Sequence, residues 1–595
     1  MSNDTLIQQI KEELPDIASN DSLIAECVAV CKNYALSAED LRYKHEALHW
    51  KPSGTRSEIA TFTLDTLGTL KAHIQRERAT SSIAKTQQQH PRSSLVTLGR
   101  GAFRRNPPPR PAAAIAVKFE PTDGMEGIAG PSTVAFRGPS MSDAARKKRA
   151  YRYMHEKPSE RGNALDSRIE EFAERIREHY DITDISNPSS STSDDVTVVG
   201  RIIQDDDAAE DSAKLAEGAI ALEASRSLGD GSRIPLRFDG AALKIRGAPQ
   251  GSEKSVFFPG AIAALRGKNG GGGYFQVSEI LTLPPLLPTP LDVKPDPLEH
   301  AHDSAFSVFI ASGPYTSDQD LNFKQYTALL EKITAARPAV VILLGPFVDA
   351  LHPSIKSGDI DITAQRLFHV RILDPLKRYL DGVPGSMALV ISSVRDLLSD
   401  HAVFPQCELP SAVAGGDPRI HLLPNPTTFS LNGITFGATS ADVLFHLKKG
   451  EFALSRRGPE GEVDPTPAMP DDLVNDAMTN LCRHLLQQRS FYPVFPVPLE
   501  GAAEVILDVT HSDGLRLGSS VDDDDAAGEG APEKAPDVLI LPSRFKQFTK
   551  TVYATKALNP SFVYKGSYIV LDVAARSPGA ESSKARLSAR VAKIE

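Results

Sequence analysis

Cysteine, tryptophan and long apolar runs are what this sequence has least of: four Cys and one Trp in 595 residues, with aromatics at 6%. So few cysteines make no disulfide framework, and two of them, Cys27 and Cys31, lie one helical turn apart, which points to a reducing compartment. The pair could be half of a metal site, but no His or Cys pair nearby completes it, and buried packing is the better account. No apolar run approaches the roughly 18 to 20 residues that cross a bilayer, and the polar, mixed-charge N-terminus lacks a signal-peptide pattern. Positive charge is not in surplus either. With 66 Lys and Arg against 76 Asp and Glu, the formal net charge is -10, which argues against the whole chain being a nucleic-acid binder and leaves room for a local basic patch.

What is there is an ordinary globular composition, 41% hydrophobic and 24% charged, in a chain too long for one core, so about three or four domains with linkers are expected. Residues 1–80 read as an N-terminal all-α domain. Leu6, Ile10 and Leu14, then Leu23, Ile24, Cys27 and Cys31, recur at helical spacing, and Ser37-Ala-Glu-Asp40 ahead of Leu41 resembles a capping box. Ser57 to His73, with Ile59, Phe62, Thr63, Leu67 and Leu70, predicts a further amphipathic helix. Over 81–150 periodicity dissolves among Pro107-Pro-Pro109, Pro111, Pro121, Pro131 and Pro139, the mark of a disordered linker. It closes on Arg146, Lys147, Lys148 and Arg149, a basic cluster in the form of a nuclear import signal or, alternatively, a solvated run of charge.

Residues 151–290 open with a helix from about Asn163 to His179, whose apolar face is Leu165, Ile169, Phe172 and Ile176. Strand-like runs follow at Val196–Val199, Ala219–Leu222, Ile234–Phe238, Ala261–Leu265 and Tyr274–Val277, a spacing that suits a small five-stranded barrel of the oligonucleotide/oligosaccharide-binding (OB) kind. Such barrels often bind single strands through a basic groove with stacking aromatics. Between Val196 and Ile280, however, ten Lys or Arg meet eleven Asp or Glu, and a protein-facing barrel is favoured. Gly267-Lys-Asn-Gly-Gly-Gly-Gly273 lacks the Gly-Lys-Ser/Thr ending of a phosphate loop and predicts a hairpin turn. Leu283 to Pro290 is a proline-rich strap, with Thr289-Pro290 a weak phosphorylation candidate.

From 300 to 595 strands and helices alternate, the signature of an α/β domain. Strands are expected at Ala305, Ala339, Met387, Ile420, Ile434, Val505, Val538 and Val563, with Tyr568–Leu571 and Ala585–Ile594 as outer strands. Helices are expected at Phe323–Ala335, Ile362–Leu380 and Asp472–Gln488. Ser519 to Asp525, with four consecutive aspartates, reads as a solvated acidic insertion.

The run Ala339-Val-Val-Ile-Leu-Leu-Gly-Pro-Phe-Val-Asp349 has the form of a buried central strand ending at the rim of a parallel sheet, where α/β enzymes keep their chemistry. It resembles the strand of calcineurin-like metallophosphoesterases that ends in Gly-Asp-x-x-Asp, whose first Asp bridges two metal ions. Here Gly345 and Asp349 keep the spacing and Pro346 replaces the bridging carboxylate. The preceding strand runs into Ser312-Gly313-Pro314-Tyr315 in place of Asp-x-His, and the following one into Ser393-Val394-Arg395-Asp396 in place of Gly-Asn-His-Asp. Pro542-Ser543 stands where Gly-His-x-His is wanted. A dinuclear site needs roughly half a dozen ligands, and a fixed guanidinium at one ligand position repels a divalent cation. The vestigial positions are Gly313, Gly345, Pro346, Asp349, Arg395 and Asp396.

Phe309-Ile-Ala-Ser-Gly-Pro-Tyr315, Leu343-Leu-Gly-Pro-Phe-Val-Asp349, Gly437-Ala-Thr-Ser-Ala-Asp-Val-Leu-Phe-His446 and Gln488-Arg-Ser-Phe-Tyr-Pro493 are similar, in this order, to the B-subunit family of DNA polymerase alpha in its fungal form. The resemblance implies a helical N-terminal domain, a linker, an OB barrel and an inactive calcineurin-like phosphodiesterase domain. It also implies a non-catalytic scaffold without cofactor or metal. The partners it implies are the C-terminal zinc-binding module of the polymerase catalytic subunit, primase indirectly, and other replication factors through the N-terminal domain, in the nucleus, with weak DNA contact at most.

Two readings of other classes remain. One is an active phosphoesterase using Asp349, Asp396, His352, His401 or His511. The other is a single-strand binder acting through the barrel. The acids Asp349 and Asp396 are alternatively helix caps or ion-pair partners, Arg395 being the expected partner of Asp396. The freed strand-end loops, with Pro314, Tyr315, Pro346 and Phe347, are expected to pack against protein, the barrel first.

Overall fold

In this computed structural model the described residues are 3–14, 20–34, 37–49, positions 17, 63, 66, 67, 70 and 71, and then 134–151, 155–204, 217–238, 243–247, 254–288, 304–399, 403–455, 476–502, 504–518, 533–576 and 583–594. The chain divides into two compact units, Met1–Asp123 and Gly124–Glu595. In the first, helices α1 (Asn3–Glu13), α2 (Asp21–Tyr34) and α3 (Ala38–His49) bury Leu6, Ile10, Leu23, Ile24, Val30 and Leu41 together. Cys27 and Cys31 belong to that core, and burial pushes the Cys27 thiol up to about 12. Most of the amphipathic stretch from Ser57 to His73 lies outside the described residues, though Leu67 and Leu70 are buried in the same core.

The second unit begins with strand β1 (Phe136–Arg137) and helix α4 (Asp143–Lys148), inside the span expected to be linker. That expectation is corrected from residue 134 onward; residues 81–133 lie outside the described ones. Helix α5 (Pro158–Tyr180) buries Ile169, Phe172 and Ile176, the face its periodicity predicts. Strands β2 (Val196–Gln204), β3 (Ile220–Glu223), β4 (Arg233–Phe238), β5 (Lys244–Arg246), β6 (Lys254–Phe257), β7 (Ile262–Lys268) and β8 (Phe275–Leu281) follow. Six of them form a sheet of order β4-β3-β2-β7-β8-β5, and parallel pairing of β4 with β8 closes it into a barrel. The glycine-rich stretch is the β7–β8 connection, as expected, with Gly271 and Gly273 at positive φ.

After β9 (Leu287–Pro288) come β10 (Phe306–Ser312), α6 (Lys324–Ala336), β11 (Val340–Leu344) and α7, which runs from Ala364–Phe368 through a π turn, His369–Leu373, into Asp374–Gly382. Then follow β12 (Met387–Ile391), β13 (Ile420–Leu423), β14 (Thr427–Leu431), β15 (Ile434–Ala438), α8 (Val443–Gly450), β16 (Phe452–Ser455) and α9 (Ala477–Gln487). The last strands are β17 (Lys534–Ala535), β18 (Val538–Ile540), β19 (Phe548–Val552), β20 (Thr555–Asn559), β21 (Ser567–Val573) and β22 (Leu587–Lys593). Two six-stranded sheets result, β13-β12-β11-β10-β21-β22 and β1-β14-β15-β18-β20-β19. β10 to β13 run parallel, which is why β11 is buried at every position and reads as a continuous apolar run.

One core lies between the sheets, where Ile310, Ile342, Leu344 and Ile391 meet Phe429, Phe436, Val538 and Leu558. Helices α6 and α7 cover the outer face of the first sheet through Tyr326, Leu329, Phe368 and Leu376. Helices α8 and α9 cover the second, where Leu444, Leu447, Leu481 and Leu485 share a core with barrel residues Val198, Phe258, Leu265 and Phe275. Two expected strands are corrected: near Val505 only Leu507 makes an isolated bridge, to Phe404, and Val563–Lys565 is a 3-10 turn. Val505 and Val563 are 1% and 0% exposed, so their apolar character records burial without a ladder. The acidic insertion, Thr289-Pro290 and the start of the helix expected from Asp472 lie outside the described residues.

Candidate functional site

Parallel pairing brings the C-terminal ends of β10, β11 and β12 side by side, and the three loops there are bonded to one another. The Gly313 amide donates to the Leu344 carbonyl and the Gly345 amide to the Ile391 carbonyl, both at 2.8 Å. A Cβ on Gly313 would overlap the Pro346 carbonyl, and one on Gly345 would overlap Asp396 Oδ2, so both positions need glycine for close approach. Both Gly-Pro bonds, Gly313–Pro314 and Gly345–Pro346, are cis. Tyr315 and Phe347 stack with centroids 5.3 Å apart, Phe347 meets Phe368 edge-on at 5.5 Å, and the Tyr315 hydroxyl donates to the Leu344 carbonyl at 2.9 Å. These rings point into the core under α6 and α7. The expectation that Phe347 packs on the barrel is therefore corrected: it fills its own domain.

Asp396 is 4% exposed. Its Oδ1 accepts from the amides of Phe347 and Val348, the latter at 3.0 Å, and its Oδ2 accepts from Ser393 N at 2.8 Å. Burial raises its carboxyl from the ordinary 3.8 to about 7, against the pull of those three amides. Arg395 is not its partner. The guanidinium reaches the other acid, Asp349, with Nε 3.0 Å from Oδ1 and a second contact to Oδ2. An antiparallel bridge between Asp349 and Asp396 and the bond from Ala350 N to the Arg395 carbonyl, 2.9 Å, lock the two loops.

The positions expected to be vestigial thus hold an internal ion pair, a carboxyl group bonded to three amides, and prolines. His352 Nε2 lies 3.0 Å from the Ser317 carbonyl, while His511 sits 3.7 Å from Asp508 and packs on Tyr151. His401 lies outside the described residues. Among the described residues no group of three or more His, Cys, Asp and Glu is placed to hold a metal ion.

Sequence reasoning missed a second set of buried polar residues at the neighbouring strand ends. Asn425, after β13, donates to Ser440 Oγ at 2.7 Å and accepts from Ser440 N at 3.0 Å, and Ser440 Oγ donates to the Ser392 carbonyl at 2.9 Å. Gln406 exchanges backbone bonds of 2.7 and 2.9 Å with Asn425 and donates from its side chain to the Ser393 carbonyl at 3.2 Å. After β18, Pro542-Ser543 leads to Asn559, whose Oδ1 accepts from Ser543 N and Ser561 N at 3.0 and 2.8 Å. Asp442 caps α8 and pairs with Arg544, which also grips Glu504. Asn425-Pro426 and Asn559-Pro560 were the only local signal for these turns.

The barrel meets the α/β part on a different surface. Gln488, at the end of α9, accepts from Ile262 N at 3.0 Å and donates to its carbonyl at 2.9 Å. β6 pairs with β16 and β9 with β17. A Cβ on Gly260, at φ 95°, would overlap Phe495 N. The exposed basic cluster is placed elsewhere: Arg146 and Arg149 lie on and just after α4 and pair with Glu408, while Lys147 and Lys148 are exposed.

The family model for the OB domain of the DNA polymerase alpha B subunit matches residues 162–283, and that for the B subunit of DNA polymerases alpha and epsilon matches residues 308–550. The chain is 32% identical over 459 residues to the B subunit of DNA polymerase alpha from Schizosaccharomyces pombe, covering 74% of this chain and 71% of that protein. The Saccharomyces cerevisiae protein of the same name is 27% identical over 74% of this chain and 62% of its own length. The one from Bos taurus is 28% identical over 67% and 57%. The chain therefore spans less than two thirds of the latter two relatives.

Proposed function

Since the chain belongs to the B-subunit family of DNA polymerase alpha, we propose that it is the non-catalytic accessory subunit of a DNA polymerase alpha–primase assembly and supports the initiation of DNA replication in the nucleus. In this reading the four-layer α/β part, residues 300–595, is a phosphodiesterase fold emptied of its ions. It and the OB barrel in 151–290 together hold the C-terminal zinc-binding module of the catalytic subunit, and primase is reached through it. The helical domain in 1–80, on its linker, recruits other replication factors.

The observation that carries the reading is the Asp349–Arg395 pair at the strand ends, where a guanidinium stands at an expected ligand position and neutralises one of the two acids, Asp349 and Asp396, that fall where the resemblance keeps an acid. Binding energy in such a protein comes from packed apolar and polar surface, and a shared core between barrel and α/β part supplies one rigid body to present it. The test is co-expression of the full chain with the zinc-binding C-terminal module of the catalytic subunit. A one-to-one complex that survives gel filtration is expected, and separate elution of the two would contradict the assignment.

A further inference from the structure

Residues 134–151 cross the α/β part as a strap. One end is fixed by Val134, buried between the sheets, and by β1 pairing with β14. The other is fixed by Tyr151, 7% exposed, whose ring centroid lies 4.7 Å from that of His511. Between them the strap spans a cavity of about 410 Å3, walled by Phe136, Met141 and Arg146 from the strap and by Leu409, Ile420 and Leu422 from the body. The middle of the strap is α4, six residues long and too short to hold itself in water. What holds it is Glu408, whose side chain is 5% exposed. Oε1 accepts from Arg146 Nε at 3.2 Å and Oε2 from Arg149 Nε at 3.3 Å. Arg149 also donates to the Ser140 carbonyl at 2.7 Å, and Ser142 caps the helix at Ala145 N.

We propose that Glu408 is a latch that keeps the basic run Arg146–Arg149 folded against the α/β part, so that an import receptor can read it only after the strap lifts. The inference rests on the run being an import signal, and goes beyond that reading by naming what controls it. A receptor that takes a basic run as an extended peptide needs its cations spread over about 10 Å, whereas three helical steps cover about 4.5 Å and turn the side chains to different faces. Two of the four cations are, in addition, already paired. Lifting the strap removes both guanidinium groups from Glu408 at once, and the loss of these two charge-assisted bonds keeps the latch closed at rest. Once that charge pair is gone, the cavity beneath offers the strap few contacts to resist lifting.

The test is Glu408→Gln in the full chain. Trypsin should cut at Arg146–Arg149 about tenfold faster than in the wild type, because two charge-assisted bonds to one buried acceptor are weakened. The tagged full-length variant should also be more nuclear at equal expression. Arg149→Lys keeps the basic run and weakens the latch, and repeats both measurements should Glu408→Gln lose its fold. A cytoplasmic reporter carrying residues 140–150 tests the import reading separately. If the reporter stays outside the nucleus, the run is no import signal. If it enters while both variants keep wild-type cleavage and distribution, the latch is overturned.

Discussion

Asp396 accepts from three backbone amides in a site that water does not reach, and its carboxyl titrates at about 7 instead of 3.8. Because the folded value is raised, the folded chain holds a proton that the unfolded chain has released between 3.8 and about 7. Stability should therefore fall as pH rises through that window and flatten above it. Asp396→Asn should remove this component, and it should cost about 2 kcal/mol, since an amide NH2 faces the Ser393 amide with nothing to accept its bond. Denaturant midpoints of the two chains at pH 5 and pH 8 check both statements. Gly345→Ala, which drives a Cβ into Asp396 Oδ2, should cost more than about 3 kcal/mol, read as a loss of melting temperature or of soluble protein. At this scale the sequence was partly legible. It placed Asp349, Arg395 and Asp396 at strand ends, but assigned the guanidinium to its neighbour in the chain. The β-bridge between the loops, a long-range feature, brings Arg395 to Asp349.

Helices and strands were legible where burial and hydrogen bonding agree. β10, β11 and β12 are short, apolar and end at glycine or serine, and parallel sheets have no other appearance. Val505 and Val563 carried the same local signal and are buried outside any strand, Val505 in an irregular stretch and Val563 in a 3-10 turn. The stretch from Ile362 to Leu380 was expected as one helix and is interrupted by the π turn His369–Leu373 just ahead of Pro375, whose ring would otherwise press on the carbonyl four residues back. The β1–α4 strap was not legible, because its two-residue strand and six-residue helix exist only by leaning on β14 and Glu408. Phe347 belongs to the α6–α7 core. Phe347→Ala should therefore cost about 3 to 5 kcal/mol in unfolding experiments while leaving the barrel docked, so the folded fraction keeps the wild-type protease pattern at the barrel junction.

In the whole molecule the barrel and the α/β part share one apolar core, from Val198 and Leu265 through Phe491 to Leu539. They should unfold in a single transition, and Gly260→Ala, by forcing Phe495 away, should split or broaden it in a calorimetric scan. This seam was invisible to periodicity, which reports that a face is apolar and is silent on what covers it. The central claim of the proposed reading is that side chains of the protein itself occupy the strand ends that the calcineurin-like resemblance would assign to metal ligands. Elemental analysis of the purified full chain, equilibrated with Mn2+ and then dialysed, with hydrolysis of a phosphodiester measured on the same sample, tests it most directly. The account predicts trace metal and no turnover. About two equivalents of metal, with turnover abolished by Asp349→Ala, would contradict it.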